Sequence, residues 1–245
     1  MEDKALLSTE EASGAEKAEL LIVIPAYNEA ENIERVVNHL TANFPQYDYV
    51  VVNDGSRDET AAICQRNGYN LLNLPVNLGL AGAFQAGLKC ADKYGYQYAV
   101  QLDGDGQHRP EYLESMIKKM EEGYDIVIGS RFVGEKKPFT MRMLGSNLIE
   151  MAIRFTTGVN IKDPTSGMRM FSKRMIREFA SGLNYGPEPD TVSYLIRQGA
   201  RVAEVPVIMD ERILGVSYLT PVNAMRYMLK MLISILLIQN FRKRR

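Results

Sequence analysis

The chain has 245 residues, of which 46% are hydrophobic and 24% charged, with a formal net charge of −1 and two cysteines, Cys64 and Cys90. That is enough apolar chain to close the core of one ordinary domain or slightly more, and it excludes collagen-like, disulfide-stapled and wholly disordered chains. The near-zero charge hides an asymmetry: all 30 acidic residues precede Arg212, while Arg212, Arg226, Lys230, Arg242, Lys243, Arg244 and Arg245 follow with no acid among them. Two distant cysteines suggest a reducing compartment. No run approaches the ~18 apolar residues of a membrane-spanning helix. Residues 1–18 are acidic and Ala/Glu/Ser-rich, lack the apolar stretch of a signal peptide, and are expected to be a disordered leader.

From Glu19 onward, short β-rich runs alternate with helical patterns. Leu20-Leu-Ile-Val-Ile24, closed by Pro25, reads as a strand buried on both faces. Tyr49–Asn53 repeats it, Asn70–Leu74 is a weaker third strand, and Tyr98–Leu102 and Asp125–Gly129 are the fourth and fifth. Ala30–Asn43, Asp58–Asn67, Leu80–Tyr94 and Pro110–Glu122 read as the helices between them. The alternation predicts an α/β fold, a mostly parallel sheet with helices on both faces, and ligands at the carboxyl ends of its strands.

Polar residues collect at those ends: Pro25–Glu29, Asn53–Asp58, Asp103–Gln107 and Gly129–Arg131. Any one alone would read as a turn; four of them point to one crevice. In an extended segment Asp103 and Asp105 would share a side and could face one hard cation, for which oxygen ligands suit Mg²⁺ or Mn²⁺ with substrate phosphate. A calcium loop counted from Asp103 fails, because His108 replaces its turn glycine, Gln107 its fifth-position acid, and Pro110 intrudes.

Ile24-Pro-Ala-Tyr-Asn-Glu29, Val52-Asn-Asp-Gly-Ser56, Asn77-Leu-Gly79, Asp103-Gly-Asp105 with Gln107, and Gly129-Ser-Arg131 resemble, in order, the signatures of family-2 glycosyltransferases. The chain is most similar to their dolichol-phosphate and polyprenyl-phosphate sugar transferases, over about Leu20 to Tyr218. The resemblance implies a glycosyltransferase-A type, Rossmann-like fold, a nucleotide-diphosphate sugar donor (a UDP- or GDP-sugar), a divalent metal and inverting transfer. It implies that Pro25, Tyr27, Glu29 and Asp54 bind the nucleotide. Asp103, Asp105 and Gln107 would hold the metal and donor diphosphate, with Asp105 counted as catalytic. A cap on the next helix is the rival reading of Asp54. His108 reads as a loop residue.

On the acceptor side, Arg131 follows a strand, and Arg142 and Ser146 lie four apart on one face of a helix beginning near Met141, a good clamp for a phosphate. Asp163-Pro-Thr-Ser-Gly-Met-Arg169 resembles the family's acceptor-side segment, with Met168 in place of its aromatic. Arg212-Ile-Leu-Gly-Val-Ser217 resembles the loop that closes over donor phosphates, although Tyr218 stands where many relatives carry Lys. A lipid monophosphate is already anionic near neutral pH, its second pKa being about 6. Arg131 and Arg142 would then orient it and Arg212 would stabilise the departing diphosphate, with no strong base required. A sugar-hydroxyl acceptor would need a base, for which Asp190 is the candidate. A nucleotide-sugar-binding module without activity is the alternative of another class.

Pro221–Ile238 reads as a helix with apolar Met225, Met228, Leu229, Leu232 and Leu236, ending in a run of cations that suits an anionic membrane surface. The expected organisation is therefore a leader over residues 1–18, a transferase domain over 19–219 and a membrane-associated amphipathic helix over 220–245. The expected setting is the cytoplasmic face of a membrane. The expected partners are the donor sugar nucleotide, a polyprenyl phosphate lipid, the membrane surface, and a small membrane subunit or a second copy, without nucleic acid.

Overall fold

The structure is a computed structural model that describes residues 19–135, 137, 140–181, 186, 188–210 and 221–241, apart from the side chains at 141, 142, 221–223, 240 and 241. The expected leader, the loop carrying Arg212 and Tyr218, the terminal cations Arg242–Arg245 and the side chain of Arg142 therefore lie outside the described residues.

In chain order the first elements are β1 (Leu20–Ala26), α1 (Ile33–Asn43), β2 (Asp48–Asn53), α2 (Thr60–Arg66), β3 (Leu71–Asn73), α3 (Gly79–Lys93) and β4 (Tyr98–Gln101). A short 3-10 turn leads into α4 (Leu113–Glu121), followed by β5 (Ile126–Ser130), α5 (Met141–Thr157), β6 (Arg169–Ser172) and α6 (Lys173–Ser181). The last are α7 (Pro189–Arg197), β7 (Val202–Pro206) and α8 (Pro221–Leu236). All five expected strands are present. β6, α6, α7 and β7 are additions.

The described residues divide into two compact units, one made of those within Met1–Pro110, Met170–Gly186 and Asp210–Gly215, the other of those within Glu111–Arg169, Pro187–Met209 and Val216–Arg245. In the first, the strands run β3-β2-β1-β4-β6. β1, β2, β3 and β4 are parallel, and β6 pairs antiparallel with β4 through Ala99↔Phe171. β1 is buried along its whole length because strands flank it on both sides and helices cover its faces. α1 turns Ile33, Val37 and Leu40 inward, a spacing of four and three that places them on one helical face. α3 comes so close to β1 that a Cβ on Gly87 would lie 2.2 Å from Val23 Cγ1. Phe84, Phe171 and Phe179 stack in series, with centroids 5.6 and 5.2 Å apart.

In the second unit β5 and β7 pair in parallel, Ile126↔Val202 to Ser130↔Pro206, and α4 packs on both. α5 begins at Thr140, whose hydroxyl accepts the Met143 N–H at 3.2 Å, and ends at Gly158 in the left-handed conformation (φ 75°). α5, α7 and α8 pack on one another, and Gly145 makes room for Met228.

Candidate active site

In the first unit the loops after β1 and β2 are laced together. Asn28 has φ 55°, a left-handed conformation that asparagine tolerates. Its N–H donates to Ser56 Oγ at 3.0 Å and its side-chain oxygen accepts the Arg57 N–H at 2.9 Å. The next two amides continue the seam, Glu29 N–H to Thr60 Oγ1 at 2.9 Å and Ala30 N–H to Asp58 Oδ2 at 3.1 Å. Asp58 also accepts from the Thr60 amide and hydroxyl. Burial pushes the Asp58 carboxyl up, but these donors outweigh it and hold the group below the usual carboxylate range.

Asp54 does not cap α2. It is buried, and its Oδ1 accepts the Leu78 N–H at 2.6 Å, which fastens the loop before α3 to the end of β2. Pro25 is buried at the end of β1, Tyr27 is half-buried, and the Glu29 side chain accepts from Asn32 Nδ2 at 2.8 Å.

The Asp103–Gln107 segment corrects one premise of the sequence reading. It is a turn, closed by the Gly106 N–H to Asp103 O at 3.2 Å, and not an extended stretch. Its glycines are there for contact: a Cβ on Gly104 would come within 3.1 Å of the Pro25 carbonyl oxygen, and Gly106 has φ 79°. The Asp103–Gln107 turn thus rests on the Pro25–Glu29 loop. Asp103 Oδ1 accepts from Gln101 Nε2 at 2.9 Å, and Asp105 Oδ1 accepts the Gln107 N–H at 3.0 Å. Gln107 Nε2 donates to Asp210 O at 3.1 Å, which leaves the Gln107 amide oxygen as its acceptor end. Arg109 grips the Asp210 carboxylate through Nε at 2.9 Å and through Nη2, which holds that carboxyl below its ordinary range.

Among the described residues no three His, Cys, Asp or Glu side chains gather as a metal cluster. Two carboxylates and one amide oxygen nevertheless fit Mg²⁺ or Mn²⁺, which keep water and take phosphate oxygens for the remaining positions. His108 is the loop residue expected, and it is buried: its Nδ1 accepts the Asp103 N–H at 3.0 Å and its Nε2 lies 3.6 Å from Asp103 Oδ2.

In the second unit Arg131 stands at the end of β5 and is held by Asp163. Nε reaches Oδ2 at 2.7 Å, Nη2 reaches Oδ1 at 2.9 Å and the backbone N–H reaches Oδ2 at 3.2 Å. Asp163 is wholly buried, whereas the Arg131 side chain stays 26% exposed. Glu204 on β7 supports the pair by accepting the Lys162 and Asp163 N–H groups at 2.7 and 2.8 Å. Met168, in the family's aromatic position, is buried against Gly129.

Ser146 departs from the clamp expectation. It is fully buried in α5, its hydroxyl without a partner, and so does not present itself on an exposed helix face. Asp190 is also committed: its carboxylate accepts from the Thr191 N–H at 2.8 Å, Ser234 Oγ at 2.6 Å and Gln239 Nε2 at 3.2 Å, tying the start of α7 to α8. Nearby Glu188 is half-buried, and burial raises its carboxyl despite Lys230 and Arg169.

Asp58 stands in a strand-end cluster of the sequence but its partners do not show there, nor do the support from Glu204, the pairing of Arg109 with Asp210 and the burial of His108. Their roles depend on partners 28 to 101 residues away for all but Asp58–Thr60 and His108, where only a polar residue close in the chain could have been noticed.

Residues 21–179 match the family described as glycosyl transferase family 2. The polyprenol monophosphomannose synthase of Mycolicibacterium smegmatis is 32% identical over 223 residues, 86% of this chain and 84% of that protein. The undecaprenyl-phosphate mannosyltransferase of Micrococcus luteus is 31% identical, covering 81% and 86% of the two chains. The UDP-N-acetylglucosamine–dolichyl-phosphate N-acetylglucosaminyltransferase of Methanococcus voltae is 30% identical, covering 77% and 84%. Among solved structures, glucosyl-3-phosphoglycerate synthase from Mycobacterium tuberculosis with Mn²⁺, UDP-glucose and phosphoglyceric acid superposes with a TM-score of 0.67 at 18% identity, covering 94% of this chain and 86% of that one. The same synthase with Mg²⁺ and UDP gives 0.63 at 21% identity, covering 91% and 79%. These likenesses show the fold to be the expected α/β, glycosyltransferase-A type. With more than half its length matched, and relatives at 30% identity or more over most of theirs, the chain belongs to glycosyl transferase family 2.

Proposed function

We propose that this enzyme transfers a sugar, with inversion, from a UDP- or GDP-sugar to a polyprenyl or dolichyl phosphate, giving a lipid-linked sugar for glycan assembly. The observation that carries the reading is the Asp103–Gln107 turn seated on the Pro25–Glu29 loop, a place for a diphosphate beside a nucleotide. The named activities of the relatives supply the acceptor class.

Pro25, Tyr27, Glu29 and Asp54 take the nucleotide, and Asp103, Asp105 and Gln107 hold Mg²⁺ or Mn²⁺. When bound, the cation offsets charge building on the leaving diphosphate. Arg131 meets the acceptor phosphate with the edge of its guanidinium that Asp163 does not occupy, and Arg142 assists it. Arg212 stabilises the departing diphosphate. A dianionic lipid phosphate is its own nucleophile, so alignment replaces base catalysis. Asp190, bound by Ser234 and Gln239, serves as a helix tether here and not as a base. Residues 19–219 form the transferase domain, and the segment over 220–245, which carries α8, attaches it to the cytoplasmic face of a membrane.

No helix among the described residues is long and apolar enough to cross a membrane. α5 and α8, which pack together, instead leave Leu144, Leu148, Met151 and Phe155, and Met225, Leu229, Ile233 and Leu236, exposed at helical spacing. Such stripes suit a bilayer surface, where a polyprenyl substrate resides.

The test is a panel of UDP- and GDP-sugars against a polyprenyl phosphate, scored for organic-soluble product with and without chelator. Product that vanishes with the chelator and returns with Mn²⁺ is expected. Saturable nucleotide-sugar binding with no organic-soluble product from any pair would indicate a binding module instead.

A further inference from the structure

The metal turn is gripped from behind by a residue of α1. Arg35 donates from Nη2 to the carbonyl oxygen of Asp105 at 3.0 Å and to Asn32 Oδ1 at 3.4 Å. Asn32, buried, donates in turn from Nδ2 to Glu29 Oε2 at 2.8 Å. A Cβ on Gly106 would lie 2.7 and 2.9 Å from the two terminal nitrogens of Arg35, so the guanidinium lies directly against that glycine. Arg35, Asp103, Gly106 and His108 also share the lining of a cavity of about 50 Å³ between the turn and α1.

We propose that Arg35 is a positioning residue: through Asp105 O and Asn32 it joins the nucleotide-side carboxylate of Glu29 to the Asp103–Gln107 turn, so that the nucleotide and metal ligands are set together. This rests on the reading of that turn as a divalent-cation site. Two glycines give the turn many conformations to lose on binding, and a charged donor on its central carbonyl selects one of them. The positive charge of Arg35 would by itself disfavour a cation nearby. The two effects have opposite signs, which makes them separable by experiment. Outer residues that orient ligands typically change metal affinity about 10- to 100-fold when removed.

The experiment is Mn²⁺ binding followed by electron paramagnetic resonance of the free ion, in the presence of saturating UDP or GDP, for the full chain and its Arg35→Met, Arg35→Lys and Asn32→Ala variants. Arg35→Met is expected to weaken Mn²⁺ binding about tenfold. Arg35→Lys, which keeps a charged donor, should bind Mn²⁺ more tightly than Arg35→Met. Wild-type or tighter Mn²⁺ binding by Arg35→Met would overturn the proposal. If that variant does not fold, Asn32→Ala decides: weaker Mn²⁺ binding supports the relay, and unchanged binding refutes it. A parent protein that binds no Mn²⁺ would overturn the metal reading itself and the relay with it, whereas equal affinity in parent and variants removes the relay alone.

Discussion

Arg131 and Asp163 show how a charged residue can be held in place while remaining reachable. The carboxylate is fully buried and takes two guanidinium hydrogens and a backbone hydrogen, whereas Arg131 keeps about a quarter of its side chain in solvent. Removing the arginine and weakening its support should therefore differ. Arg131→Ala is expected to raise the acceptor KM at least about tenfold, the worth of a charged hydrogen bond, and to leave donor binding by calorimetry near the parent value. Equal losses on both sides would argue against an acceptor role. Asp163→Asn should reduce acceptor use less than Arg131→Ala but cost roughly 1–3 kcal/mol in denaturant unfolding, because a buried set of donors loses its anionic partner. Asp58 carries a pH signature of the same kind. Its folded carboxyl titrates below the usual range, so its contribution to stability is present above the unfolded carboxylate pKa of about 4 and is lost as pH falls through the lower folded value. Asp58→Asn should flatten the acid limb of thermal stability below about pH 4; an unchanged slope would show that the Thr60 and Ala30 bonds do not depend on the charge.

Elements differ in how far their sequences announce them. β1 was legible because five consecutive apolar residues before Pro25 have no helical period, and the structure buries all seven residues of the strand. β6 was not: its four residues, Arg-Met-Phe-Ser, have no run or alternation strong enough to read, and its antiparallel pairing with β4 breaks the strand–helix rhythm on which the parallel expectation rested. α7 opens with Pro189 at its first turn, a good start signal, but the stretch stands out in the sequence only for Asp190 within it. The packing of α3 on β1 was also beyond a sequence reading, since Gly87 looks like any weak helix residue until Val23 is placed beside it. Gly87→Ala gains helix propensity of about 1 kcal/mol, yet its methyl would meet Val23 Cγ1 at 2.2 Å, inside any van der Waals contact. Overpacking should win, with a net loss of about 1–3 kcal/mol in denaturant unfolding and little change in m-value. A stabilised protein would mean that α3 shifts away from the sheet at little cost.

At the scale of the whole chain, strand-end motifs made the candidate nucleotide and metal residues legible, because ligands of such sheets gather where strands end. The supports were hidden, since Arg35 meets Asp105 across 70 positions and Glu204 meets Asp163 across 41. The same division applies to the membrane reading. Composition revealed the cations after Arg212 and the apolar period of α8, but only the fold shows that α5 adds a second stripe beside it, with Phe155 86% exposed. On the membrane reading charge and apolar burial would both contribute, and they separate by salt and lipid charge. Each cation near an anionic surface is worth about 1 kcal/mol and is screened within a Debye length of about 10 Å at 0.1 M salt, whereas burial of apolar side chains is insensitive to both. Deleting Phe241–Arg245 should lower co-sedimentation with anionic vesicles at low salt and change little with neutral vesicles. Phe155→Ser with Leu229→Ser should lower binding to both, with the salt dependence retained. An unchanged bound fraction in both variants would refute the membrane face, and a mass that doubles with protein concentration without lipid, and is lost in the serine variant, would assign the stripes to a second copy of the chain.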